Sequence, residues 1–270
     1  MPLVSIVIPT RNCRAELSRL LDSIERQTFR DLEVIVVDNF SADGTFEAAA
    51  KRAIAFQLGP ERHTQRAAGA ARARGEYLMF FDADMELDPT LVEECVALGR
   101  QGFDAVILPE RGGGCGYWAE CQKLEKECYW EDPWMEAANR FIRAETYRRV
   151  GGYHPELVGE EDFELHDRLV AAGARVGRSR AMITHHEGTA FWGVVRKKFY
   201  YGTRARRVFR EAPGNNFMRF VFLKPAYFRN WRRLARHPLL ALGLVTMKTV
   251  QFLAGGAGFA LSLARRTTGG

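Results

Sequence analysis

The chain has 270 residues, 47% of them hydrophobic and only ten of them proline, a composition that excludes an intrinsically disordered protein and can bury a substantial core. Its five cysteines, Cys13, Cys95, Cys115, Cys121 and Cys128, are odd in number and lack paired C-x2-C spacing, which argues against a disulfide scaffold or zinc ribbon and for reduced thiols in a cytosolic compartment. The formal charge of +6 conceals a division: from residue 188 onward 16 Lys and Arg face a single acid, Glu211, for a net +15, so residues 1–187 carry −9.

The amino terminus opens into the strand-like run "PLVSIVIPT" and shows no signal peptide pattern. "VSIVIP" (4–9), "EVIVVD" (33–38), "YLMFFD" (77–82) and "DAVILP" (104–109) are short continuous apolar runs, as expected of strands buried on both faces of a parallel sheet. Segments 14–27, 41–54, 64–74 and 88–100 read as helices. Ser41 is placed to cap the second, and Asp88 followed by Pro89 to start the fourth. Alternating strands and helices predict an α/β fold with a mostly parallel sheet. Right-handed crossovers then bring the strand ends Pro9, Asp38 and Asp82 to one edge, where open α/β sheets bind ligands.

Residues 110–187 read as mixed, with helices near 117–130 and 160–172 and a strand near 180–186. From 191 the chain reads as helical, basic and aromatic. The predicted organisation is an α/β domain over 1–190 and a basic, amphipathic helical region over 191–270.

Three clusters carry chemistry. Asp82-Ala-Asp84 ends a buried strand, where an unpaired carboxylate is costly. The pair suits a hard divalent cation bound together with phosphates, and equally an ordinary strand-end turn. Glu86, two residues on, is either a further metal ligand or a solvated loop acid. "EEDFELHDRL" (160–169) places acids at a helix start, where they complement the dipole or face a cleft. His185 and His186 end the last predicted strand, and alternation sends only one of them inward. Arg140 and Arg168 are candidate phosphate partners.

The segments "VSIVIPTRN", "VIVVDNFSADGT", "ARGEYLMFFDADM" and "VGGYHPELVGEEDFELHDRL" resemble, in order and spacing, the landmarks of the family 2 glycosyltransferases of GT-A fold. The resemblance covers about residues 3–190. It implies that Pro9, Arg11 and Asp38 hold the base and ribose of a nucleotide-sugar, that Arg66 lies near the donor, and that Asp82 faces the ribose. Asp84, with Glu86 and one of His185 and His186, would hold Mn2+ or Mg2+. Asp162, with Glu161 beside it, would supply the base of an inverting transfer. Ala67 and Asn39 depart from the family pattern and leave the donor open between GDP-mannose and a UDP-sugar.

The tail interleaves Phe, Tyr and Trp with Lys and Arg over 191–238, and residues 239–264 carry one charge, Lys248. That stretch exceeds the ~20 residues needed to cross a bilayer, yet Lys248 and Gln251 fall near its middle. A monotopic anchor, a span and a protein-packed helix all fit. The expected partners are a nucleotide-sugar donor, a lipid-linked acceptor and membrane lipids at the cytoplasmic face, with no nucleic acid. The expected activity is sugar transfer to a hydroxyl of a lipid-linked glycan or glycolipid. The alternatives are a polyprenyl-phosphate glycosyltransferase, a nucleotidyltransferase and a non-catalytic membrane scaffold.

Overall fold

The computed structural model describes residues 3–130, 132, 139–154, 161–186, 191–211 and 224–267. Two compact units emerge. The first comprises Met1–Glu110, Ala137–Glu156 and Glu161–His185, the second Arg111–Glu136, Leu157–Glu160 and His186–Gly270. Arg111–Glu136 groups with the tail residues in the second unit.

In the first unit, β1 (Val4–Thr10), β2 (Leu32–Asp38), β3 (Ile54–Gln57), β4 (Tyr77–Phe80), β6 (Ala105–Ile107), β8 (Asn139–Arg143) and β9 (Val176–Arg178) form a seven-stranded sheet in the order β3-β2-β1-β4-β8-β6-β9. β1 pairs parallel with β2 and β4, whereas β8 runs antiparallel between β4 and β6. A further antiparallel pair, β5 (Met85–Leu87) and β10 (Ile183–His185), sets His185 opposite Met85. The short strand β7 (Glu110–Gly112) begins where the chain leaves the unit.

Alternation along β1 divides the core between two faces. Val4, Ile6 and Ile8 pack with Leu17, Leu20 and Ile24 of α1 (Arg14–Glu25) and with Leu91, Val92 and Val96 of α4 (Leu91–Arg100). Val7 on the other face packs with Ala70 of α3 (Arg62–Arg72), Tyr147 of α6 (Ala144–Arg149) and Leu165 and Leu169 of α7 (Glu161–Ala171). α3 rests closely on the sheet: a Cβ at Gly69 would lie 2.3 Å from Val7 Cγ1.

Two expected caps are displaced. α2 (Thr45–Ala50) starts after Gly44, at φ +84°, while the Ser41 hydroxyl donates to Asp38. α4 starts after Thr90, and Asp88 Oδ2 instead accepts the Met182 N–H at 2.9 Å. In both cases a tertiary partner takes the side chain that local sequence assigned to the helix. Glu160, expected to open α7, lies outside the described residues.

In the second unit, α5 (Tyr117–Tyr129), α8 (Phe191–Glu211), two short helices, Pro225–Arg229 and Trp231–Arg236, and a long helix, Pro238–Thr267, pack together. Cys121, Leu244 and Met247 are buried at the centre, ringed by Trp118, Phe191, Tyr227, Leu234 and Leu240. Lys248 Nζ lies 2.5 Å from Glu125 Oε1, and the Tyr129 and Tyr227 hydroxyls donate to the same carboxylate. Burial alone would raise the Glu125 carboxyl, but Lys248 and Lys224 outweigh it and hold it at about 2.

Candidate active site

The first site element is the edge where β1 and β2 end in register, Thr10 opposite Asp38. Asp38 is fully buried and its carboxylate is taken up locally. Thr10 Oγ1 donates to it at 3.0 Å, Ser41 through Oγ at 2.5 Å and through N–H at 2.8 Å. The loops after the two strands are stitched together, the Asn12 N–H on Ser41 Oγ at 2.8 Å and the Ala42 N–H on Asn12 Oδ1 at 2.9 Å. Pro9 is buried within β1, and Arg11 stands exposed at the following bend.

Arg66 organises the acids. It projects from α3, 1% exposed, and donates through Nη2 to Asp82 Oδ1 at 2.7 Å and through Nη1 to Glu161 Oε1 and Asp162 Oδ1, each at 3.3 Å. Burial works against both charges in the Arg66–Asp82 pair. The surrounding acids nevertheless keep the guanidinium firmly protonated, and Arg66, Arg62 and Arg140 hold the Asp82 carboxyl far below the usual carboxylate range. Asp82, just after β4, and the two acids that open α7 thus share one cation.

Tyr153, which the sequence reading passed over, donates its hydroxyl to Asp162 Oδ1 at 2.8 Å. Burial and the adjacent carboxylate raise that hydroxyl well above its ordinary value, so it stays a donor. Asp162 Oδ2 accepts no hydrogen bond among the described residues, its cationic neighbour being Arg140 Nη2 at 3.9 Å. Arg140 is itself buried and held by Glu110 at 2.9 Å, and its Nη1, like Arg66 Nε, has no partner among the described residues. Arg168 serves a different purpose, bonded to Glu164 and to the Gly152 carbonyl, each at 2.6 Å.

Asp82, Asp84 and His185 bring one ligand atom each within 4.8 Å of one another. Two carboxylate oxygens and an imidazole suit a hard or borderline divalent cation, so these residues fit Mn2+ or Mg2+. His185 Nε2 lies 3.2 Å from Asp84 Oδ1, while Nδ1 meets Glu110 Oε2 at 3.0 Å. Glu110 thereby fixes the ring with Nε2 toward the acids, in the manner of second carboxylates behind metal-binding histidines. The two remaining candidates stand apart from this group. Glu86 pairs with Arg26 at 3.1 Å, and His186 belongs to the second unit, its ring against Gly113. Glu110 and Tyr153 were missed in sequence because neither carries a local signal beyond following a strand or a glycine pair.

Residues 5–155 match the sequence profile described as glycosyl transferase family 2. Glycosyltransferase AglE of Haloferax volcanii is 26% identical over 220 residues, covering 75% of this chain and 72% of that protein. The GalNAc(5)-diNAcBac-PP-undecaprenol beta-1,3-glucosyltransferase of Campylobacter jejuni is 28% identical over 141 residues, 47% of this chain and 45% of that protein, so the match spans less than half of it. Among solved structures, the mannosyltransferase PcManGT from Pyrobaculum calidifontis, in complex with GDP-Man and Mn2+, superposes with a TM-score of 0.59 at 18% identity, over 97% of this chain and 75% of that one. The mostly parallel sheet with acids gathered at its edge is therefore a GT-A fold. The chain belongs to glycosyltransferase family 2, and its class of chemistry is glycosyl transfer.

Proposed function

We propose that the protein is an inverting, divalent-metal-dependent glycosyltransferase that moves a sugar from GDP-mannose or a UDP-sugar to a hydroxyl of a lipid-linked glycan or glycolipid. The observation that carries this reading is the single Arg66 guanidinium joining Asp82 to Asp162, which sets a donor-side acid and a base one side chain apart. Asp162 Oδ2, clear of the hydrogen bonds that occupy Oδ1, takes the proton of the acceptor hydroxyl. The freed oxygen pair forms the new bond to the anomeric carbon, and the bond from that carbon to the diphosphate breaks with its electrons on the leaving oxygen. A cation held by Asp82, Asp84 and His185 would neutralise the leaving diphosphate. Pro9, Arg11 and Asp38 are proposed to line the nucleotide, and the buried Arg140, with its unpartnered Nη1, to meet an anionic group.

A hydroxyl acceptor needs a base, whereas a phosphate acceptor is already ionised near neutral pH. The retention of Asp162 favours the hydroxyl, and the Campylobacter relative is named for an undecaprenol-linked glycan. The test is a screen of UDP- and GDP-sugars with Mn2+ or Mg2+, with and without chelator, for nucleoside diphosphate release. Chelator-sensitive release from one donor supports the reading. Absence of both nucleotide binding and release across the panel would sink it.

A further inference from the structure

The helix Pro238–Thr267 contains a 26-residue stretch of mean hydropathy 1.4, only 22% buried. Its two troublesome polar residues face protein: Gln251 is 5% exposed, and Lys248 reaches Glu125 at 2.5 Å. Gly243, Leu244, Met247, Gln251 and Gly258 form one buried stripe. The opposite face shows Leu239 at 73% exposure, Leu242 at 64%, Val245 at 52%, Phe252 at 56% and Leu253 at 65%. An apolar row of that length on a free surface marks a contact with an apolar phase or partner.

The neighbouring helices decide its orientation. A Cβ at Gly202 would lie 2.1 Å from the Gly255 carbonyl oxygen and one at Gly258 2.2 Å from that of Phe199, so α8 runs antiparallel with backbones touching. Lys248, paired with Glu125 of α5, lies near the middle of the apolar stretch. A perpendicular helix would carry that ion pair into the centre of the hydrocarbon, where charge is excluded. The exposed Arg196, Lys197, Lys198, Arg232 and Arg236, with Trp192 and Trp231, instead suit headgroup depth.

We propose that this helix lies in the plane of an anionic lipid bilayer, with the Leu239–Leu253 face in the acyl boundary and the Glu125–Lys248 pair turned inward. The inference deepens the membrane location of the proposed acceptor. It is tested without sugar transfer, so vesicle binding can fail while donor turnover in detergent stands. The full chain is sedimented with phosphatidylcholine vesicles with and without phosphatidylglycerol. Binding should require the anionic lipid, weaken with salt, and fall at least about tenfold in Leu242→Asp/Leu253→Asp. No vesicle binding, undiminished binding by that variant, or a lipid-independent dimer that buries this face would overturn it. Orientation is read independently in a Cys115→Ser background, with His237→Cys or Ser262→Cys exposed to an impermeant maleimide outside sealed vesicles. Labelling of both positions supports the in-plane helix, and protection of one marks a span and overturns it.

Phe40 carries a separate inference. Its φ is +46°, a region that side chains larger than glycine's rarely adopt, and the residue is 67% exposed, so core packing does not account for it. The turn is held by Ser41 on Asp38, at the edge where the nucleotide is proposed to bind. We infer that Phe40 is a stacking platform for the donor base, an inference that rests on that proposal. Phe40→Gly should raise the melting temperature by relieving the backbone, yet weaken GDP or UDP binding in Mn2+ about 5- to 100-fold. Phe40→Tyr should restore affinity. Equal affinity of wild type and Phe40→Gly overturns the platform alone, whereas no nucleotide binding by wild type overturns the proposed function with it.

Discussion

Asp162 presents two unlike oxygens, Oδ1 tied to Tyr153 and Arg66 and Oδ2 open toward Arg140. Asp162→Asn keeps the shape and removes the proton acceptor. The expected result is a fall in kcat of about 10²- to 10⁴-fold with donor affinity unchanged, read by turnover beside calorimetric titration. Glu110→Gln keeps a hydrogen-bond partner near His185 but removes the charge behind the ring. Mn2+ affinity followed by paramagnetic resonance should drop about 10- to 100-fold, with the melting temperature little changed. The acids were legible in sequence because a strand that ends in carboxylates needs something to neutralise them. What supplies that neutralisation was not. Arg66 lies 95 and 96 residues from Glu161 and Asp162, and Glu110 lies 75 residues from His185, pairings that only the packed sheet creates.

At the scale of elements, continuous apolar runs located β1 and β2 to within a residue at each end, and β4 and β6 as strands shorter than the runs, Tyr77–Phe80 and Ala105–Ile107. β3 was not foreseen: it takes the last residue of the expected helix 41–54 and the three after it, and Ile54–Gln57 is short, partly exposed and on the sheet edge. β8 was unreadable for a different reason, as its place between β4 and β6 depends on chain returning from the second unit. The long helix Pro238–Thr267 posed the sharpest question, a lysine amid leucines, and α5 answers it with Glu125. Removing one partner of such a pair leaves a buried charge, so Glu125→Gln should cost about 3 kcal/mol in denaturant unfolding. The folded-state value of Glu125 is lowered from 4.5 to about 2. Its stabilisation is thus complete above pH 4.5 and lost as pH falls toward 2. Far-ultraviolet dichroism on acidification should show wild type losing stability across that window and Glu125→Gln losing measurably less.

For the molecule as a whole, ligand binding should appear as thermal stability. Mn2+ with the matching nucleotide at a hundred times its Kd adds about 2.7 kcal/mol, a rise of roughly 5–10 °C for a chain of this size. A shift with GDP but not UDP, or the reverse, would identify the base; a shift with neither would contradict nucleotide binding. The second unit is not simply appended to the first, since Arg111–Glu136 is inserted between β6 and β8, neighbours in one sheet. That insertion sets an order in time. Tyr117 donates to the carbonyl of Leu239, 122 residues later in the chain, and at about 5–20 residues per second the ribosome needs roughly 6–24 s to deliver that partner. Throughout that interval α5 has emerged with the face around Cys121 uncovered. The nascent chain therefore holds an exposed apolar surface long after the sheet strands β1, β2 and β4 have been made, and its yield in a cell should depend on what shields α5 during the wait.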